Sequence, residues 1–263
     1  EEAMDWLRKK GISSAEKKSS RVASEGLVAV ATSGNKGAIV ELNAETDFVA
    51  RNDKFQGFLA DLTQHVLENG ADDLANQAFK GKTVAECLTD LIATIGENMS
   101  LRRAEVVTSA NGAVASYVHA PIAENMGKIG VLVALEGADA EKITAFGKQA
   151  AMHIAATKPE SLSIADLDQS KLERERQVLS DQARASGKPE EIIEKMVDGR
   201  LRKYYEEVVL LEQIFVIDGE TKVGKVAEAA GATISSYVCY TLGEGIEKKD
   251  ENFAEEVAAA LAS

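Results

Sequence analysis

The spacing of apolar residues changes period several times along the chain, and each change marks a predicted element. Residues 26–32 and 38–43 are apolar runs on either side of Ser33-Gly34-Asn35-Lys36-Gly37, which predicts strand, turn, strand. Phe55, Phe58, Leu59, Leu62 and Val66 then recur near a 3.6-residue period, with Asn52 or Asp53 as cap and Gly70 as stop, which predicts a helix. A second helix near 83–95 and a strand near 102–108 complete this unit. The order then repeats. Residues 114–119 and 128–136 alternate as strands, and a helix follows over about 139–156 with Ile143, Phe146, Gly147, Ala150, Ala151 and Ile154 on its apolar face. Strand, strand, helix twice at comparable spacing predicts an α+β chain of two related α+β subdomains with antiparallel sheets.

Between residues 166 and 207 the pattern differs. Charges alternate in sign, and apolar positions (Leu172, Val178, Leu179, Ile192, Ile193, Met196, Leu201) are sparse. Gly187-Lys188-Pro189 interrupts the middle. Such a segment predicts an inserted antiparallel coiled-coil helical hairpin. The core resumes at 208–217, with a short helix to Ala230, a strand at 234–242 and an Ala-rich C-terminal helix at 250–262. At the other end, Ala3, Met4, Trp6 and Leu7 have helical spacing before Gly11, and ten residues cannot bury a helical face alone. The expected division is therefore a remnant of an N-terminal helical module (1–11), a polar linker (12–24) and a first core subdomain (25–110). A second core subdomain (111–165 and 208–247) is split by the hairpin (166–207), and a C-terminal helical module (248–263) ends the chain.

Charge narrows the functional classes. Thirty Lys and Arg against 43 Asp and Glu leave a net −13. Nucleic-acid binding takes most of its affinity from cations on phosphates, so no direct nucleic-acid contact is expected, and a partner protein with a basic face suits the balance better. Two cysteines far apart make neither a disulfide framework nor a metal cluster. No run of 18 apolar residues exists and no signal-peptide pattern opens the chain, so the expectation is a cytoplasmic protein without a membrane span.

Catalytic chemistry has one sharp decoy. Gly219-Glu220-Thr221-Lys222-Val223-Gly224-Lys225-Val226 fits a phosphate-binding loop except at the last position, where Val226 has no hydroxyl for Mg²⁺. A turn and a short helix explain it equally well. His65, His119 and His153 have no ligand spacing, so no metal and no cofactor is expected. No catalytic constellation emerges, which points away from an enzyme.

Two places break local rules. In Thr46-Asp47-Phe48-Val49 an aromatic residue stands between a strand and a helix, where turns favour small polar residues. Phe48 either folds onto the core or stands out as a wedge. On the helix at 139–156, Met152 projects about 180° and His153 about 90° from the apolar face, at about 100° per residue. Both are candidates for a contact surface.

Glu41-Leu42-Asn43-Ala44-Glu45-Thr46-Asp47-Phe48-Val49-Ala50-Arg51 closely resembles the signature of the elongation factor Ts family, although Ala44 stands where that family more often has Cys, Ser or Val. The resemblance continues through Ile95-Gly96-Glu97-Asn98, Ile129-Gly130-Val131-Leu132-Val133, Ala151-Met152-His153, Lys158-Pro159-Glu160, Ser186-Gly187-Lys188-Pro189 and Gly243-Glu244-Gly245-Ile246-Glu247-Lys248. It implies an exchange factor whose partner is the GTPase elongation factor Tu. It further implies that Thr46, Asp47, Phe48 and Val49 press near the Mg²⁺ site of that GTPase. By the same resemblance Ile129 and Gly130 face its nucleotide domain, while His153, Val216 and Ile217 touch a more distant domain; Met152 joins the partner surface by its place on the helix. The hairpin is a candidate homodimer contact.

Overall fold

The computed structural model describes residues 11, 13 and 15–247, so the helices expected at 1–10 and 250–262 lie outside the described residues. Residues 15–18, expected as linker, are helical. Strands β1 (Glu25–Ser33) and β2 (Lys36–Ala44) form the expected hairpin, paired in register from Glu25 with Ala44 to Ser33 with Lys36. Helix α1 (Asp53–Asn69) follows, with the Asn52 side chain accepting from the Lys54 and Phe55 amides. Helix α2 (Val84–Ile95) starts at Thr83 in a reciprocal capping box with Glu86. Strand β3 (Met99–Thr108) then returns along β2.

The second half repeats the order with β4 (Gly112–Ala123), β5 (Met126–Glu136) and α3 (Ala140–Thr157). Two further helices, α4 (Gln169–Arg184) and α5 (Glu190–Val208), form the predicted insertion. After them come α6 (Val223–Ala229) and β6 (Thr233–Thr241). Residues 209–217, between α5 and α6, carry a 3-10 turn and isolated bridges. These six strands are linked by antiparallel pairing in the order β3-β2-β1-β5-β4, with β6 also on β5, and Ala78–Phe79 pairs with Lys82–Thr83 in a separate two-stranded sheet. The β1–β5 joint is short, pairing only Val28 with Gly127 and Ala29 with Met126.

Strand alternation explains the layering. Leu27, Ala29, Val40 and Leu42 point to α1 and pack with Phe55, Phe58, Leu59, Leu62 and Val66. Val131, Val133 and Leu135 point to α3 and pack with Ile143, Phe146, Ala150 and Ile154. The intervening positions Val28, Val30, Ile39, Leu132 and Ala134 meet one another between the two sets of strands. Helix, sheet, sheet, helix is thus written in a two-residue period.

The inserted helices hold a small core of their own, Ala183, Ile193, Val197 and Leu201. Val178 and Ile192, two of the sparse apolar positions, point outward. At the base of the insertion, the Glu160 amide donates to the Val208 carbonyl and the Leu210 amide to the Ser161 carbonyl, at 2.8 Å each. The chain therefore enters and leaves the insertion at one point.

Candidate protein-docking site

The turn after β2 carries the most exposed large apolar side chain among the described residues: Phe48, at 81%. Its neighbours explain why it cannot retreat. Glu97, just after α2, accepts from the Thr46 amide at 3.0 Å and from the Thr46 hydroxyl at 2.7 Å. The Glu45 carboxylate accepts from the Asn98 amide, and the Asn98 side chain donates to the Arg21 carbonyl at 2.7 Å. On the far side Val49 and Ala50 are buried in a 3-10 turn, Val49–Arg51, that hands the chain to α1. The Gln56 side chain donates to the Ala50 carbonyl at 2.8 Å. Clamped at both ends, the turn projects Asp47 and Phe48 into solvent. Phe48 therefore stands out from the core and does not fold onto it. Val49, expected at the contact, instead anchors the turn from inside.

The second half presents a separate apolar patch. Met152 on α3 is 42% exposed, and Val216 and Ile217 in the loop before α6 are 46% and 49% exposed. His153 corrects the sequence reading, because its side chain is fully buried. Residues 209–217 lie against the flank of α3, with the Phe215 ring 5.7 Å from the imidazole. The Val216 amide donates to His153 Nδ1 at 3.2 Å, so Nδ1 is unprotonated and Nε2 carries the proton that Gln213 Oε1 accepts at 2.8 Å. Burial pulls the His153 pKa below its ordinary value, with the Gln213 acceptor working against it. The histidine positions the patch without being part of it. Helical geometry placed His153 off the apolar stripe correctly but gave no sign of a covering segment sixty residues later.

Gly130 is a second correction. It is buried between the strand layers, where an added Cβ would lie 2.7 Å from Val28 Cγ1. Ile129 beside it is half-buried against the α3-side core. Sequence reasoning also missed Glu97 and Gln213 as holders of the two surfaces. Glu97 had been singled out only within Ile95-Gly96-Glu97-Asn98, and nothing local pairs it with Thr46.

The phosphate-loop decoy folds as a turn followed by the start of α6. The Asp218 carboxylate accepts from the Glu220 and Thr221 amides at 3.0 Å each, putting a negative charge where a phosphate would have to sit. Those amides hold the Asp218 pKa below the ordinary carboxylate range. Lys225 is paired with Glu228 at 3.0 Å. Among the described residues no group of three His, Cys, Asp or Glu could hold a metal ion, and no helix is long and apolar enough to cross a membrane.

A clamped, solvent-facing aromatic and a second apolar patch on an α+β scaffold are features of the surfaces on which proteins dock. The family profile described as Elongation factor TS matches residues 45–244. Elongation factor Ts of Rhodospirillum centenum is 60% identical over 270 aligned residues, covering 98% of this chain and 88% of that protein. The Gluconobacter oxydans and Rhodospirillum rubrum proteins of the same name are 56% and 55% identical, each over 99% of this chain and 87% and 88% of their own lengths. The chain belongs to the elongation factor Ts family and is a translation elongation factor.

Proposed function

We propose that the chain binds elongation factor Tu in its GDP form and promotes release of GDP by stabilising the nucleotide-free GTPase. The observation that carries this reading is Phe48, four-fifths exposed on a turn that Glu97, Val49 and Ala50 hold in place. An aromatic side chain seated in a partner pocket can contribute a few kcal/mol, and a pre-held one loses little freedom on binding. If its pocket forms only in the empty GTPase, binding and nucleotide release are coupled: the chain weakens GDP binding by the factor by which GDP weakens its own. No covalent step is required, so the chain acts as an exchange factor without being an enzyme. Asp47, exposed beside Phe48, brings negative charge toward the Mg²⁺ site of the GTPase, while Met152, Val216 and Ile217 meet a second domain.

The remaining assignments follow from this role: action in the cytoplasm and no direct contact with nucleic acid. A second copy would pack on the inserted helices, where Val178 and Ile192 face outward. The test is release of fluorescent GDP from elongation factor Tu with and without the chain. Acceleration of at least tenfold is expected, and an unchanged release rate would refute the proposal.

A further inference from the structure

The two exposed surfaces stand on different halves of the molecule. Besides the β1–β5 joint and the apolar layer between strands, polar contacts tie the halves in two places. In the first, the Ser109 hydroxyl donates to the Leu135 carbonyl at 2.8 Å and to the Glu136 carboxylate at 2.9 Å, and the Val114 amide donates to the Gly34 carbonyl at 3.1 Å. The second is a buried cluster around Glu41 that reaches β6. Glu41 on β2 is fully buried. Its Oε1 accepts from Arg102 Nη1 at 3.1 Å, the Gly243 amide at 2.8 Å and Asn43 Nδ2 at 3.2 Å, and its Oε2 accepts from Arg103 Nε at 2.6 Å. The two arginines, on β3, reach on to the other half. Arg103 donates to the Thr241 carbonyl at 3.0 Å and its guanidinium lies 4.0 Å from the centre of the Tyr240 ring, while Arg102 donates to the Glu244 carbonyl. The Tyr240 hydroxyl returns the contact, donating to Glu105 on β3 at 3.1 Å.

Strands β3 and β6 are not paired by backbone hydrogen bonds, so these side chains close the seam between them. Gly243 completes the fit. Its φ is 67°, and a Cβ there would lie 2.3 Å from the Ser24 carbonyl, so no larger residue brings that amide to Glu41. An apolar layer between sheets resists separation but not sliding. Charge-assisted bonds of fixed direction resist both.

We propose that Glu41, with Arg102, Arg103 and the Gly243 amide, is a latch that fixes the orientation of the Phe48 turn relative to the Met152–Val216–Ile217 patch, making Glu41 a positioning residue for exchange. The inference rests on the exchange reading, and it adds that both surfaces must engage one GTPase at a set separation.

The experiment measures geometry and exchange on matched proteins. Spin labels are placed at Lys54→Cys on α1 and Gln149→Cys on α3, both exposed positions, in a Cys87→Ser, Cys239→Ser background. Pulsed dipolar spectroscopy then compares this protein with its Glu41→Gln form, and GDP release from elongation factor Tu is measured for unlabelled chains. The expected result is an interspin distribution at least twice as broad and GDP release slowed about tenfold at sub-saturating chain, with the variant still folded. An unchanged distribution, or release slowed less than twofold, overturns the proposal. Should Glu41→Gln fail to fold, Arg102→Ala, whose side chain is 28% exposed, decides by the same two criteria. A wild-type chain that leaves GDP release unchanged defeats the exchange reading instead, and the distance arm still judges the latch.

Discussion

At the scale of single residues, His153 and Phe48 are both candidates for a contact surface in the sequence, yet His153 is sealed in and Phe48 stands out. His153→Ala removes the acceptor for the Val216 amide and the donor to Gln213, and leaves a cavity beside Phe215. Unfolding free energy should fall by about 2–4 kcal/mol, read as a lower urea midpoint, and an unchanged midpoint would return His153 to the surface. The pH dependence has a definite sign. The folded-state pKa lies below the ordinary 6.5, so the native protein refuses a proton that the unfolded chain accepts. The contribution is complete above pH 6.5 and is lost as pH falls from there through the folded-state pKa. Comparing wild type with His153→Gln at pH 7.5 and 5.5 isolates it: wild type should lose more stability on acidification. Equal losses would contradict the assignment. Phe48 was legible as an anomaly because it stands in a turn, but its exposure depends on Glu97, fifty-one positions beyond its partner Thr46.

At the scale of elements, periodicity carried most of the fold. The faces Phe55–Val66 and Ile143–Ile154 were readable because each helix buries one stripe against one sheet. Which strands pair was not readable. The β1–β5 joint and the meeting of Val28 with Gly130 are long-range events that no local pattern specifies. The inserted helices misled in a different way: with so few buried positions, Val178 and Ile192 could not be assigned a face from spacing. That sparse core supports a prediction. Replacing residues 169–205 by a short Gly/Ser linker should leave a cooperatively folded protein, since the base is closed by backbone bonds of residues 160–161 to 208 and 210. Loss of the cooperative thermal transition would show that the insertion is integral. The turn carrying Phe48 gives another. Glu97→Ala frees two donors on Thr46 and should slow GDP release severalfold while moving the melting temperature by only a few degrees. Release at the wild-type rate would show that the clamp has no part in presenting Phe48.

At the scale of the whole molecule, an acidic, helix-flanked pair of strand layers carries two apolar surfaces and, among its described residues, no metal cluster. The proposed function rests on binding, and its central claim is that contact through Phe48 drives nucleotide out of the partner. Each tenfold in exchange corresponds to about 1.4 kcal/mol of preferential contact with the empty GTPase. The direct measurement is stopped-flow release of fluorescent GDP from elongation factor Tu by wild type and Phe48→Ala, paired with thermal melts of both chains. The account predicts release slowed about tenfold or more with melting temperatures within a degree or two, because the side chain is 81% exposed and supports little of the core. Release at the wild-type rate by a folded Phe48→Ala chain would contradict it.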